Sequence, residues 1–194
     1  MKTIKLLVLL TIIILTGVGC SKLIPTTNTT PTDQIDESSE VDNAVLASEN
    51  RSNLGDPAPA FELLDIAGKE HKLNDYADKK VYIKFWASWC PICLAGLEEL
   101  NTLAGEDEDF IILTVVSPGY KNEKKKDAFI TWFEGVENVS NLNVLLDEDG
   151  SLAKALGLRG YPTSAFIGSD GILVKTQSGH VANDMIEAEF ENIY

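Results

Sequence analysis

Two cysteines, Cys90 and Cys93, stand three residues apart within Phe85-Trp86-Ala87-Ser88-Trp89-Cys90-Pro91-Ile92-Cys93. Thiols at this spacing lie one helical turn apart and can close a disulfide with each other. If Cys90 opens a helix, the free N–H groups of the first turn favour its thiolate over its thiol. Pro91 fits that turn, where no N–H is needed. A thiolate so placed can attack a partner's disulfide, and the second thiol can then release the mixed disulfide. The competing uses of the pair are a metal half-site or a static disulfide. Zinc needs two further ligands, and beyond Cys20 the chain offers only His71 and His180 and no second CxxC. Redox chemistry is therefore favoured, with no metal and no cofactor.

A second feature is Gly160-Tyr161-Pro162-Thr163. An X-Pro bond alone tolerates the cis form cheaply, and a proline directly before a strand is where such a bond fits. Taken by itself Pro162 reads as an ordinary trans turn residue; taken with the CxxC upstream, the cis reading is preferred.

The elements that must position these residues are legible in the hydrophobic pattern. Val81 to Trp86 is β-branched and aromatic, a buried strand leading into the cysteines. Ile92, Leu97, Leu100 and Leu103 have helical spacing and predict one helix from Ile92 to about Ala104. The apolar run Phe110 to Val116 predicts a central strand covered on both faces. Further along come a helix over Lys124 to Phe133, a strand over Asn143 to Leu146 and a helix over Ser151 to Leu156. Strands Ser164 to Ile167 and Ile172 to Gln177 flank Ser169-Asp170-Gly171, a hairpin turn, and a last helix covers about Ala182 to Asn192. Upstream, Phe61 to Leu64 predicts a short strand turning at Gly68. Alternating strands and helices closing on a hairpin predict an α/β fold, a mixed central sheet with helices on both faces. His71 is expected on a solvated hairpin and the Lys121 to Lys126 cluster at a solvated helix start. Trp132 and Phe133 are expected in the core.

The chain has 194 residues, with 16 Lys and Arg against 30 Asp and Glu, a net charge of −14. That balance excludes nucleic-acid binding as the main business, since phosphates are bound chiefly through Lys and Arg. Three cysteines are too few for a disulfide-stapled scaffold. Residues 1–19 read as an export signal: Lys2 and Lys5, then an apolar run from Leu6 to Val18. As a helix that run would span roughly 20 Å, short of a bilayer core. Residues 20–54 read as a linker, Thr-rich and then acidic, with too little apolar surface to fold. Its root-mean-square reach as a flexible coil is roughly 30–35 Å. Residues 55–194 form the single folded domain.

Thr16-Gly17-Val18-Gly19-Cys20 resembles a bacterial lipoprotein signal, with Gly17 where Leu is usual. That resemblance implies cleavage before Cys20 and lipidation of Cys20, with palmitate among its acyl chains. The domain resembles the thioredoxin fold with an N-terminal β extension, and within it the exported TlpA/ResA-like thiol–disulfide oxidoreductases. It is most similar to the N-terminal thioredoxin domain of secreted methionine sulfoxide reductase fusions and to Gram-positive surface thioredoxins. The motifs that carry the likeness are Ile83 to Leu94, Thr114 to Gly119, Glu123 to Phe129 and Tyr161 to Gly171. It implies Cys90 as attacking thiolate, Cys93 as resolving thiol and a redox-active Cys90–Cys93 disulfide. Pro162 would be cis and, with Tyr161, Trp89, Pro91 and Ile92, would line the substrate-docking edge; Trp86 and Trp89 would shape the rim and exclude water. Many relatives carry a buried carboxylate where Lys84 stands; here Lys84 becomes a candidate for tuning the cysteines as a nearby cation. Many exported reductases also carry a Glu and a Pro where this chain has Gly96 and Glu98, which weakens a cytochrome-maturation role.

The function these signs imply is a membrane-anchored, extracytoplasmic disulfide reductase, monomeric, at the outer face of the cell membrane. Its client would be a methionine sulfoxide reductase or another exported disulfide-bearing protein. An integral-membrane thiol electron transporter of the CcdA/DsbD type would recharge it. The alternatives are a dithiol oxidase or isomerase for secreted proteins and a copper-binding chaperone using the cysteines with His180.

Overall fold

A computed structural model describes residues 52–194. The expected signal at 1–19, the lipidation site Cys20 and most of the linker lie outside the described residues. Among the described residues no helix is long and apolar enough to cross a membrane.

Eight strands form one mixed sheet: β1 (Asp56–Pro57), β2 (Glu62–Asp65), β3 (Glu70–Lys72), β4 (Lys80–Phe85), β5 (Phe110–Val116), β6 (Val144–Leu146), β7 (Thr163–Ile167) and β8 (Ile172–Ser178). Their spatial order is β1-β8-β7-β4-β5-β6-β2-β3. β4, β5 and β6 run parallel, and β7 pairs antiparallel with β4. The helices are α1 (Pro91–Ala95), α2 (Leu97–Leu103), α3 (Lys126–Phe133), α4 (Ser151–Ala155) and α5 (Asn183–Phe190). This is the thioredoxin fold, with β1, β2 and β3 as the N-terminal addition.

Side chains of β4 alternate between two cores, as a strand's period of two requires. Tyr82 and Trp86 belong to one, with Cys93, Leu97, Leu100, Phe129, Ile186 and Phe190 from α1, α2, α3 and α5. Val81, Ile83 and Phe85 belong to the other, with Leu152 and Ala153 of α4. The expected strand Phe110 to Val116 is found at those bounds and is buried on both faces.

Two expectations need correction. The single helix from Ile92 is two, broken at Gly96, whose φ of −100° and ψ of 9° leave the helical range. Ile92, one of the apolar residues at that spacing, is 54% exposed. His71 is not solvated: it is buried, with Nδ1 2.6 Å from the Tyr76 hydroxyl and Nε2 3.0 Å from Asp65 Oδ2. A hairpin histidine reads as exposed unless its partners are known, and both partners here lie within six residues. The 3₁₀ turn Leu73–Tyr76 that supplies one of them carries no strong sequence signal.

Asn53 donates to Asp170 and, through Nδ2, to the Tyr194 carbonyl at 2.7 Å, tying the first described residues to the β7–β8 turn and the last residue.

Candidate active site

β4 ends at Phe85, and the chain passes through Trp86 to Trp89 before α1 begins at Pro91. Cys90 is the N-cap of α1: its backbone is extended, and its sulfur accepts the Cys93 N–H at 3.3 Å. Cys90 and Cys93 are joined as a disulfide. Cys93 is fully buried, whereas Cys90 is 4% exposed at the surface end of the pair. On reduction the same N–H would face the Cys90 sulfur, and donation to a charged acceptor favours the thiolate.

The Tyr161–Pro162 peptide is cis. It brings the Tyr161 carbonyl oxygen to 3.8 Å from Cys90 Sγ, across 71 residues of sequence. The Tyr161 ring packs edge-to-face against Trp89, centroids 6.1 Å apart. Trp89 and Ile92 are about half exposed, and Pro91 is exposed beside them. The structure thus brings together Cys90, Cys93, Trp89, Pro91, Ile92, Tyr161 and Pro162. Trp86 does not join them at the rim. It is fully buried, packed against Phe129, Trp132 and Phe133. The strand's alternation, which also turns Tyr82 inward, accounts for that placement.

Lys84 lies on the same face of β4 as Tyr82 and Trp86 and is 1% exposed, so its ammonium does not reach solvent. Nζ donates to the Gly96 carbonyl at 3.4 Å, where α1 gives way to α2. Burial pushes its pKa down to about 8, with the Glu99 carboxylate partly opposing. His180, in the loop after β8, pairs with Glu99 at 3.2 Å. A Cβ on Gly96 would come within 2.7 Å of the His180 ring and 3.1 Å of Lys84 Nζ, so these three residues meet at one point.

Sequence reasoning missed Glu123. It is buried, and its carboxylate accepts the Ser88 N–H at 2.5 Å, the Ser88 hydroxyl at 2.6 Å and the Lys124 N–H at 2.6 Å. Lys124 Nζ in turn donates to Ser88 Oγ at 2.6 Å and lies 4.8 Å over the Trp132 ring. Thus the loop before α3 fixes the residue two places ahead of Cys90. No local pattern announces a buried glutamate; the only hint is an acid inside the lysine-rich run Lys121 to Lys126.

A buried disulfide under a cis-proline edge, on this sheet, is the arrangement of a thiol–disulfide exchange site. The Redoxin family profile matches residues 53–193. The chain belongs to the redoxin family. Among solved structures, the exposed lipoprotein thioredoxin Etrx1 of Streptococcus pneumoniae is 46% identical. The likeness covers 70% of this chain and all of that one, with a TM-score of 0.67. The thiol:disulfide interchange protein DsbE of Escherichia coli is 31% identical over 144 residues, 73% of this chain and 74% of its own length. The thiol-disulfide oxidoreductase ResA of Geobacillus thermodenitrificans is 27% identical over 144 residues, 72% of this chain and 78% of its own. This redoxin is a thiol–disulfide oxidoreductase of the ResA and DsbE type, with Cys90 and Cys93 in the redox position.

Proposed function

We propose that this redoxin acts outside the cytosol as a disulfide reductase, held to the membrane through a lipid on Cys20. Its client would be the disulfide left on a methionine sulfoxide reductase after turnover, or a similar disulfide on another exported protein. The observation that carries the direction of attack is the unequal burial of the two cysteines, 4% exposed for Cys90 against 0% for Cys93. Cys90 lies at the edge beside Tyr161, while Cys93 is enclosed beneath it. The Cys90 thiolate attacks one sulfur of the client disulfide, forming a mixed disulfide and releasing the other client sulfur as a thiolate. Cys93 loses its proton and attacks Cys90 Sγ, forming the internal disulfide and releasing the second client thiolate. Two electrons pass to the client, whose thiolates take up two protons. Lys84, a cation beneath α1, is proposed to favour the thiolate form of the pair.

Placement outside the cytosol is supported by the signal-like residues 1–19 with Cys20, and by the likeness to Etrx1, itself described as an exposed lipoprotein. Export separates the protein from cytosolic electron carriers, so an integral-membrane thiol transporter of the CcdA/DsbD type would return it to the dithiol form.

The test is a Cys93→Ser variant mixed with an oxidised methionine sulfoxide reductase. A Cys90-linked mixed disulfide and, in wild type, stoichiometric client reduction are expected, together with a reduction potential toward the thioredoxin end of the range, about −270 mV. Absence of the adduct would remove this client, and a potential near −120 mV would make the protein an oxidase instead.

A further inference from the structure

In a chain with 30 Asp and Glu against 16 Lys and Arg, cations gather beside Tyr161, the residue whose carbonyl faces Cys90. Lys121 Nζ lies 5.7 Å from the centre of the Tyr161 ring, the ring that packs on Trp89 beside Cys90. It donates to the Leu158 carbonyl at 2.8 Å, which sets it next to Arg159. Arg159 is exposed and immediately precedes Gly160-Tyr161-Pro162. Lys154 lies 4.7 Å over Tyr120, the ring that Lys121 also approaches at 5.5 Å. Among the described residues no ion pair joins Lys121, Lys154 or Arg159 to a carboxylate, although Lys72, Lys80, Lys126 and Lys175 all have one.

The placement of Lys121 is held against local preference. Lys121 and Asn122 both have positive φ, 48° and 65°, a region that L side chains rarely adopt. Two such residues in succession turn the chain after β5 so that the Lys121 amine meets the cis-proline edge. The buried carboxylates in this region do not neutralise the rim directly. Asp147 is engaged by the N–H groups of Leu152 and Ala153, and Glu123 by those of Ser88 and Lys124. Lys121 and Lys154 are bonded only to backbone carbonyls, of Leu158 and Asp149, so their charges are not neutralised; like charges so placed repel, and that cost is recovered when an anionic group docks.

We infer that the Lys121–Arg159 rim beside Tyr161 selects client polypeptides that carry Asp or Glu next to their disulfide. The client strand lies across Trp89 and the Tyr161–Pro162 edge, and its carboxylates face Lys121 and Arg159. This rests on the reductase reading and adds to it the chemistry of the client sequence.

The experiment uses three synthetic peptides, each with one intramolecular disulfide, flanked by Asp and Glu, by Lys, or by Ser and Gly. Steady-state reduction by the full chain is followed at low and high ionic strength, in wild type, Arg159→Glu and Lys121→Glu/Arg159→Glu. At about 20 mM salt the acidic peptide is expected to have kcat/KM roughly fivefold or more above the basic one, with the neutral peptide between. In about 0.5 M salt the ratio should approach one. Arg159→Glu should reduce the ratio and the double variant should invert it. Arg159 makes no hydrogen bond or ion pair within the described fold, so that single variant keeps the test valid should Lys121→Glu fail to fold. Equal rates for all three peptides at low salt, or a preference that survives high salt or both substitutions, would overturn the inference. Failure to reduce any peptide would instead remove the reductase reading beneath it.

Discussion

Lys84 reaches beneath the cysteine-bearing helix to the Gly96 carbonyl, 3.4 Å from its ammonium, and among the described residues no carboxylate forms an ion pair with it. A charge kept this deep, with the Glu99 carboxylate only partly opposing its desolvation, is held at a cost.

That cost has a pH signature. The Lys84 pKa is about 8 in the folded protein against an ordinary 10.5. Between those values the unfolded chain binds the extra proton, so stability rises with pH across that window. The disulfide form is therefore expected to gain stability between about pH 8 and 10.5, by an amount on the order of 3 kcal/mol. Lys84→Met should be more stable at pH 7 by a similar amount and nearly flat over the same range. Denaturant unfolding of the disulfide form at several pH values measures both. In the dithiol form, Lys84→Met should raise the Cys90 titration seen in ultraviolet thiolate absorbance; an unmoved titration would dismiss the proposed tuning.

Gly96→Ala sets two effects against each other. A methyl group would meet the His180 ring at 2.7 Å, while an alanine at a helix junction recovers about 1 kcal/mol of backbone entropy. Stability should change by less than about 1 kcal/mol, but His180 should leave Glu99. Nuclear Overhauser contacts between the His180 ring and α2 would report the displacement.

Glu123→Ala would leave the Ser88 N–H and hydroxyl and the Lys124 N–H without their acceptor. The expected loss is about 2–3 kcal/mol in thermal or denaturant unfolding, with slower reduction of protein disulfides because the segment ahead of Cys90 loosens. Glu123→Gln, which keeps the acceptor oxygen, should lose less on both counts.

The Asp65 carboxyl is held below its ordinary value: burial alone would raise it, but the hydrogen bond to His71 and those from the Lys69 and Ala67 N–H groups outweigh this. Its stabilisation is present above the ordinary carboxyl pKa of about 4 and is lost as pH falls through the lower folded value. Asp65→Asn should therefore cost about 1 kcal/mol at pH 7, with the difference from wild type shrinking near pH 3.

What could be read from the sequence followed from chemistry confined to a few neighbouring residues. The apolar run Phe110 to Val116 became β5 at those bounds, and Ser169-Asp170-Gly171 became the turn between β7 and β8. Cys90 and Cys93 were legible because a CxxC opening a helix leaves a local trace, and the cis form of Pro162 only because that CxxC stands upstream. What was not legible depended on distant partners. The burial of Lys84 is set by α1 and α2 lying across β4, and that of Glu123 by Ser88 lying 35 residues away in the chain. Trp86 was placed at the rim because it neighbours the motif, yet the alternation of β4 turns it inward.

The anchoring of Asn53 has a bearing on orientation. Its bonds to Asp170 and Tyr194 lie past the Ile167 end of β7, whereas Pro162 and the cysteines lie at the Thr163 end, roughly 17–20 Å away along the strand. The described chain therefore enters the fold at the end of the sheet opposite the reactive sulfurs.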